Sequence, residues 1–318
     1  MLIKTEEKKA IRQVYGETLV ELGEGNPDIV VLDADLSSST KTSLFGKKFP
    51  DRFFNMGISE QDMMGTAAGL AAGGKIAFVS TFAIFATGRA WEQIRQSICY
   101  PGFNVKIVAT HAGITVGEDG ATHQCIEDLG LMRILPGMKV IVPADPVETK
   151  KVIETVVKEN GPVYVRLSRV KFPFLYSDEF QFKIGKSSIL REGKDITLIG
   201  IGLMVSHCLI AADILASQGI EARVINMSTL SPLDNDSVIA AAKETKRIVT
   251  VEEHSKIGGL GSAVSECLAE NYPALLKIMG ITQYGMSGKA EKLLEYFNLM
   301  PVNIAENALD LLKREEDI

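Results

Sequence analysis

Apolar and polar residues alternate along the chain in blocks that fit strands followed by helices. Between Glu6 and Leu22 apolar residues recur every three or four positions, which predicts a helix, and glycines and a proline follow it. The next block, Ile29–Ala34, is a short β-branched run of the kind found in strands buried on both faces. The same succession continues as far as Val163–Arg166 and predicts a parallel sheet covered by helices.

The remaining elements follow the same rhythm, with one interruption. Further strands and helices of the first series are predicted at Phe53–Asn55, Ser59–Leu70, Ile76–Ser80, Ile84–Ser97, Val105–Ala109, Val140–Val142 and Pro146–Glu159. Residues Lys171–Gly193 break the pattern and predict an extended linker or a small edge hairpin. A second series begins at Ile196 and ends in a mostly helical stretch, Ala290–Lys313. We therefore predict an α/β protein with two parallel-sheet, three-layer domains, residues 1–185 and 186–318.

Composition excludes several classes of protein. The 318 residues are 46% hydrophobic and 23% charged, as in folded globular proteins and unlike disordered or repetitive chains. The net charge of −6 and the lack of a basic stretch argue against nucleic-acid binding. Four widely spaced cysteines without a CxxC motif argue against a disulfide framework and a structural zinc site. Because no signal peptide or long apolar run is present, we expect a cytoplasmic protein that does not span a membrane.

Polar segments follow several predicted strands of the first domain. Their sequences are DADLSSST, NMGISEQD, STFAIFATGR, THAGITVGEDGATHQ and RLSR. Ligands of open parallel sheets bind at the carboxyl ends of the strands. The sequence therefore places the candidate site in the first domain.

Single residues in these segments each allow two interpretations. Glu60, after the N-cap candidate Ser59, either complements a helix dipole or presents a carboxyl to a ligand. Phe82 and Phe85 face the same way and either pack in the core or line a pocket. Arg169 forms either a salt bridge or an anion clamp.

The histidines are a stronger indication of a functional site. His111 and His123 bracket a glycine-rich loop that also contains Glu118 and Asp119, although their spacing matches no standard zinc site. His207 has no convergent partner and is interpreted as structural, whereas His254 is left open. The segment Gly258–Ser262 lacks a full phosphate-loop motif, so we favour a tight helix N-terminus over a dinucleotide site.

Together these motifs resemble a known family. The stretches GISEQDMMGTAAGLAAGG, STFAIF, THAGITVGEDGATHQ and YVRLSR are similar to the C-terminal half of transketolase, and more closely to the separately encoded C-terminal subunit of split transketolases. The resemblance covers essentially the whole chain, as a thiamine pyrimidine-binding domain followed by the transketolase C-terminal domain. It implies a thiamine diphosphate-dependent transferase that moves a two-carbon ketol unit from a ketose phosphate to an aldose phosphate.

The resemblance also assigns expected roles around the cofactor. Glu60 matches the family's catalytic glutamate, which hydrogen-bonds the ring nitrogen of the cofactor's aminopyrimidine and favours its imino tautomer. Phe82 and Phe85 match the aromatic pocket, with Phe85 expected to stack on the ring. Gly88 stands where the family often has a third aromatic residue, so this pocket is expected to be completed differently.

Other positions match residues that contact the sugar. The substrate-contacting and proton-moving positions correspond to His111, Asp119 and His123. Ser39 and Arg169 match positions that hold the sugar phosphate, for which an arginine fork is well suited. Asp35 matches an acidic residue near the active site.

The chain contains no GDG motif, through which this enzyme class binds diphosphate and magnesium. The resemblance therefore implies an N-terminal partner subunit that supplies this motif and the Mg²⁺, in an assembly of two copies of each chain. No metal ligands are expected from this chain itself.

Two other functions compete with this interpretation. A subunit related to deoxyxylulose-phosphate synthase or to the 2-oxoacid dehydrogenase β chain would use the same cofactor for another reaction. The pairing of His111 with His123 favours transketolase over both. A scaffold chain without activity is disfavoured because Glu60, the two phenylalanines and both histidines are present.

Overall fold

The computed structural model describes residues 4–314 and, within them, two mostly parallel sheets flanked by helices. Its strands are β1 (Lys4–Ala10), β2 (Ile29–Asp33), β3 (Phe53–Asn55), β4 (Ile76–Ser80), β5 (Val105–Ala109), β6 (Lys139–Ile141), β7 (Val163–Arg166), β8 (Lys171–Phe174), β9 (Ser188–Arg191), β10 (Ile196–Gly200), β11 (Ala222–Asn226), β12 (Thr229–Ser231), β13 (Arg247–Ser255) and β14 (Leu275–Ile281).

The α-helices of the described residues are α1 (Ile11–Gly25), α2 (Ser37–Thr40), α3 (Ser43–Lys48), α4 (Glu60–Ala72), α5 (Trp91–Gln93), α6 (Asp128–Arg133), α7 (Pro146–Val156), α8 (Met204–Ala216), α9 (Asn235–Thr245), α10 (Leu260–Glu270), α11 (Ala290–Tyr296) and α12 (Pro301–Leu312). Residues Pro50–Arg52 and Ile114–Asp119 form 3₁₀-helical turns, and residues Phe85–Arg89 and Ile94–Cys99 form π-helical turns. None of the helices between residues 4 and 314 is both long enough and apolar enough to cross a membrane.

The first sheet has the strand order β12-β6-β7-β5-β4-β2-β3 and is parallel except for β12, which runs antiparallel to β6. Alternate residues of its strands enter different cores. Val31 and Phe78 pack with α1 and α7, whereas Leu32 and Val79 pack with α4 on the opposite face. This confirms the predicted sheet with helices on both faces.

The second sheet has the order β14-β13-β10-β11-β9, with only β9 antiparallel to its neighbour among the described strands. Leu198 packs towards α8 and α12, and Ile199 packs towards α9 and α10. The cluster around Ile199 continues without a break into the core of the first sheet. The two sheets therefore share a hydrophobic core.

The helix predicted over Glu6–Leu22 is wrong for its first residues, up to Ala10. They form β1, antiparallel to β8, and the helix starts only at Ile11. The charged residues Glu7–Lys9 offer no apolar face for helix packing, and pairing with β8 satisfies their backbone groups instead.

Two other predicted elements also differ in detail. The helix expected over Ile84–Ser97 is divided into π-helical turns at Phe85–Arg89 and Ile94–Cys99, a rare conformation that often occurs at functional sites. The interrupting segment Lys171–Gly193 is extended as predicted, but it does not form a hairpin. Its two strands join different sheets, because β8 pairs with β1 and β9 pairs with β11.

Candidate active site

Glu60 lies at the N-terminus of α4, immediately after the N-cap residue Ser59, whose side chain makes no capping hydrogen bond. The Glu60 side chain is only 4% exposed, and Arg89 Nη1 donates to its two oxygens over 3.1 and 3.3 Å. The Arg89 guanidinium also lies over the ring of Phe85, 4.3 Å from the centroid. An open cavity of about 670 Å³ adjoins Glu60 and Arg89.

The predicted aromatic residues and histidines form one cluster. Phe82 stacks on His111 with ring centroids 3.8 Å apart and lies 6.0 Å from Phe85. His123 approaches the edges of both phenylalanine rings, at 6.3 and 5.4 Å. Gly88, in the π-helical turn, contributes no side chain, and the adjacent Arg89 covers the Phe85 ring.

His111 is held in an unusual conformation. Its φ of +57° lies in the left-handed region, which non-glycine residues enter mainly where the surrounding structure enforces it. The ring is buried, and Nδ1 lies 2.8 Å from Thr110 Oγ1. Burial, together with the positive charges of Arg12 and Arg169, lowers the pKa of His111 to about 3. The imidazole is therefore neutral at neutral pH.

Several cations surround His111. Arg12, Arg169 and Lys41 all act on its charge, and Arg12 Nη1 donates to the carbonyl of Ser39 over 2.8 Å. Arg12 was missed in the sequence because it lies on α1, far along the chain from Ser39, and no motif marks it. Only its contact with Ser39 and its proximity to His111 reveal it.

Arg169 contacts the glycine-rich loop that carries the predicted sugar ligands. Its Nη1 donates to the carbonyl of Val116 and to the carboxylate of Glu118, the latter at 3.3 Å. Asp119 is exposed on the same loop, next to Glu118. The salt-bridge interpretation of Arg169 thus describes this structure, and the exposed pair with Glu118 is weak enough to be exchanged for another anion.

The Asp35 backbone N–H donates to Asn55 Oδ1, and its carboxylate accepts from Asn55 Nδ2. The neighbouring Asp33 is the residue that organises this loop. Its buried carboxylate accepts hydrogen bonds from the hydroxyls of Thr40 and Thr42 and from the N–H of Leu36. Asp33 thereby fixes the segment that contains Ser39.

The second glycine-rich segment is closed by the protein itself. Helix α10 begins at Leu260, and the N–H groups of Leu260 and Gly261 donate to the Glu252 carboxylate over 2.7 and 2.8 Å. A Cβ on Gly259 would lie 1.9 Å from a Glu252 oxygen. This arrangement is the tight helix N-terminus that we predicted, with its anion position filled by Glu252.

The other two histidines join parts of the fold. His254 is fully buried and accepts a hydrogen bond from the N–H of Gly130 at Nε2, which links the two domains. His207 Nδ1 lies 2.9 Å from the carbonyl of Leu299 and links α8 to the C-terminal helices. Between residues 4 and 314 no group of three or more His, Cys, Asp or Glu side chains is arranged to hold a metal ion.

Comparison with known proteins decides the family. Residues 7–173 match the transketolase pyrimidine-binding domain and residues 185–304 match the transketolase C-terminal domain. The chain belongs to the transketolase family. A transketolase C-terminal section of Methanocaldococcus jannaschii is 50% identical over 311 residues, covering 96% of this chain and 98% of the relative. This chain therefore corresponds to the C-terminal section of a split transketolase, and its pyrimidine-binding domain implies thiamine diphosphate.

A solved structure supports the same assignment. A split gene transketolase, described as an inactive beta4 tetramer, superposes with a TM-score of 0.88 at 50% identity, covering 96% of this chain and 99% of that one. A 1-deoxy-D-xylulose-5-phosphate synthase of Desulfitobacterium hafniense is 39% identical over 321 residues, which are 99% of this chain and 51% of the synthase. The chain is therefore similar over nearly its full length both to a split transketolase section and to about half of this synthase.

Proposed function

We propose that this chain is the C-terminal subunit of a thiamine diphosphate-dependent transketolase and is active when assembled with an N-terminal subunit. The observation that carries the proposal is the cluster of Phe82, Phe85, His111 and His123, to which Arg89 joins Glu60. In this cluster a buried carboxylate, a stacking surface and two imidazoles lie side by side at the carboxyl end of one sheet.

The Arg89 guanidinium supports the fit of the cofactor's aminopyrimidine. It is a planar group whose Nη1 donates to Glu60 while its face lies on Phe85. An aminopyrimidine likewise combines a flat face with a ring nitrogen that can share a proton with a carboxyl group. We therefore assign Glu60 to the ring nitrogen and Phe85 to the ring face, and Arg89 must leave both when the cofactor binds. Bound thiamine diphosphate supplies an electron sink for carbon–carbon bond cleavage.

The remaining polar groups suit a phosphorylated sugar. Neutral His111 can accept or donate a hydrogen bond at the sugar carbonyl or hydroxyls, and His123 can exchange protons there. Asp119 is exposed and available to accept from a sugar hydroxyl. Arg12 joins Arg169 and Ser39 as phosphate-binding candidates, since guanidinium groups bind phosphate bidentately. Asp35 is left with a supporting role through Asn55.

The proposed reaction moves a two-carbon unit between sugars. The bond between C2 and C3 of the ketose phosphate breaks, and the donor leaves as an aldose phosphate two carbons shorter. A new carbon–carbon bond forms at the aldehyde carbon of the acceptor. An N-terminal subunit with the GDG motif is proposed to hold the diphosphate and Mg²⁺ in an α2β2 assembly, and residue 185 is the proposed boundary between the two domains of this chain.

Reconstitution tests this function. The chain is mixed with its N-terminal subunit, thiamine diphosphate and Mg²⁺, and product formation is measured from xylulose 5-phosphate plus an aldose phosphate. We expect turnover by the mixture and none by either chain alone. Full activity of the isolated chain would contradict the split-enzyme proposal.

The synthase-like reaction is the second candidate because of the 39% identity to that enzyme. The same mixture is therefore supplied with pyruvate plus an aldose phosphate, and carbon dioxide release is recorded. Release of carbon dioxide without ketol transfer supports the synthase-like function. If calorimetry detects no cofactor binding by the assembled pair, the scaffold interpretation is favoured.

A further inference from the structure

Adjacent carboxylates at the end of β13 point to opposite sides of the strand. Glu252 and Glu253 are both buried, at 0% and 3% exposure. Glu252 binds the N-terminus of α10 within its own domain. Glu253 faces the other way and reaches the first domain, as the alternation of side chains along a strand requires.

Glu253 binds the beginning of the loop that carries the predicted sugar ligands. The N–H of Thr115 donates to Glu253 Oε1 over 2.5 Å. At Gly113 a Cβ would lie 2.3 Å from that same oxygen, and the backbone adopts a φ of +78° that favours glycine. The backbone at Gly113 therefore lies so close to the carboxylate that no residue with a Cβ would fit there.

The second domain also holds the far end of this loop. Gln124 Nε2 donates to the carbonyl of Met286 over 2.9 Å, and Ser287 Oγ donates to the carbonyl of Glu118 over 2.7 Å. Helix α11 packs against the turn Ile114–Asp119. The segment 113–124 is therefore fixed by the second domain at its start and at its end.

Glu253 itself is held in place by charge and hydrogen bonds. Arg166 donates to the Glu253 carbonyl over 2.9 Å and to the Asp128 carboxylate over 2.8 Å. Burial raises the pKa of the Glu253 carboxyl, and the Arg166 charge and the bond from Thr115 oppose that rise. A carboxylate with such fixed neighbours is a rigid anchor for the loop.

We propose that Glu253 is a positioning residue through which the second domain sets sugar binding, by anchoring the loop that presents Asp119 and His123. It touches neither sugar nor cofactor and acts only through the backbone of residues 113–115. The kinetic part of this proposal rests on the proposed transketolase function.

The kinetic test uses Glu253→Ala and Glu253→Gln in the full chain assembled with its N-terminal subunit. We expect Glu253→Ala to raise KM for the ketose phosphate about tenfold or more, because the ligands at the loop are displaced. The dissociation constant of thiamine diphosphate should change less than about twofold, since Glu60 and Phe85 lie outside the loop. Glu253→Gln keeps an oxygen for the Thr115 N–H and should restore most of the wild-type KM.

Glu252→Gln is the matched control on the same strand. It weakens the capping of α10, so it should lower the thermal midpoint while leaving KM unchanged. The proposal is overturned if Glu252→Gln raises KM as much as Glu253→Ala does. It is also overturned if Glu253→Ala weakens cofactor binding as much as sugar binding.

Hydrogen exchange measured on the full chain without substrate separates this proposal from the function. Glu253→Ala should speed amide exchange within residues 113–124, and Glu252→Gln should speed it within residues 259–263. Ser287→Ala, which removes the bond to the exposed Glu118 in the middle of the loop, provides a milder variant if Glu253→Ala folds poorly. Unchanged exchange of 113–124 in both loop variants contradicts the anchoring, whatever the reaction proves to be.

Discussion

The two sheets use buried carboxylates at their carboxyl ends in opposite ways. Glu60, beside the first sheet, is paired with the Arg89 side chain, which is 51% exposed and free to swing into solvent. Glu252, at the end of β13, is bound by the backbone N–H groups of Leu260 and Gly261, which cannot move without unwinding a helix. A carboxylate held by a mobile side chain can exchange it for a ligand, whereas one held by backbone amides serves the fold.

Removing the first carboxylate should have the largest effect. In the assembled enzyme we expect Glu60→Gln to lower turnover about 1,000-fold, because the amide cannot hold the cofactor's ring nitrogen in the same protonation state. Its stability should change little, since an ion pair whose cation is half-exposed contributes only about 0–1 kcal/mol. Turnover and the thermal midpoint are measured on the same preparation, and near-normal turnover contradicts the assigned role.

Removing the Glu252 carboxylate should have the opposite result, a loss of stability with little change in cofactor binding. Glu252→Ala leaves the buried amides of Leu260 and Gly261 without an acceptor, which we expect to cost about 3 kcal/mol of unfolding free energy. Chemical unfolding of the chain measures the loss, and cofactor affinity of the assembled pair serves as the control. A large loss of cofactor affinity at unchanged stability would mean that both carboxylates serve ligands.

Substitutions of Arg89 test whether this side chain gives up its place on Glu60 to a ligand. Arg89→Ala removes an ion pair and a cation–π contact that the cofactor must displace, so thiamine diphosphate should bind about tenfold more tightly. Arg89→Lys keeps the charge without the planar face and should give an intermediate affinity. Weaker binding to Arg89→Ala would show that Arg89 holds the cofactor instead of competing with it.

The last prediction concerns the pH dependence of stability. Burial lowers the pKa of His111 to about 3, below the value of about 6.5 for an unfolded histidine. The unfolded chain therefore binds more protons between these values, so the contribution of His111 to stability falls as the pH drops through this window. Urea unfolding at pH 7 and about pH 4.5 should show a smaller difference in His111→Asn than in the wild type or in His123→Asn. An unchanged difference in His111→Asn contradicts this origin.

Strands buried on both faces were the easiest elements to predict from the sequence, because they consist mostly of apolar residues. The strands at Ile29 and Ile196 could be predicted for this reason, and they form β2 and β10. β12 is absent from the sequence prediction, because its short segment pairs with a strand far away in the sequence. The π-helical turns at Phe85–Arg89 could not be predicted either, since apolar periodicity does not distinguish an interrupted helix from a regular one.

The candidate site also contains residues that the sequence predicts and residues that it does not. Motifs identified Glu60, the phenylalanines and the histidines, which the structure brings together. Arg12 and Arg89 were missed, because their importance comes from contacts with Ser39 and Glu60 across tertiary structure. Long cationic side chains on helices are usually solvated, so nothing local marks these two.

Strand β12 limits how far the two domains can be treated as modules. Thr229–Ser231 follows the proposed boundary by more than forty residues, yet it covers the outer edge of the first sheet by pairing with β6. A fragment that stops at residue 185 leaves the backbone groups of β6 open to pairing with other molecules, which is a known route to aggregation. A division of a transketolase into two chains is therefore easier to accommodate before the pyrimidine-binding domain than between that domain and the C-terminal domain.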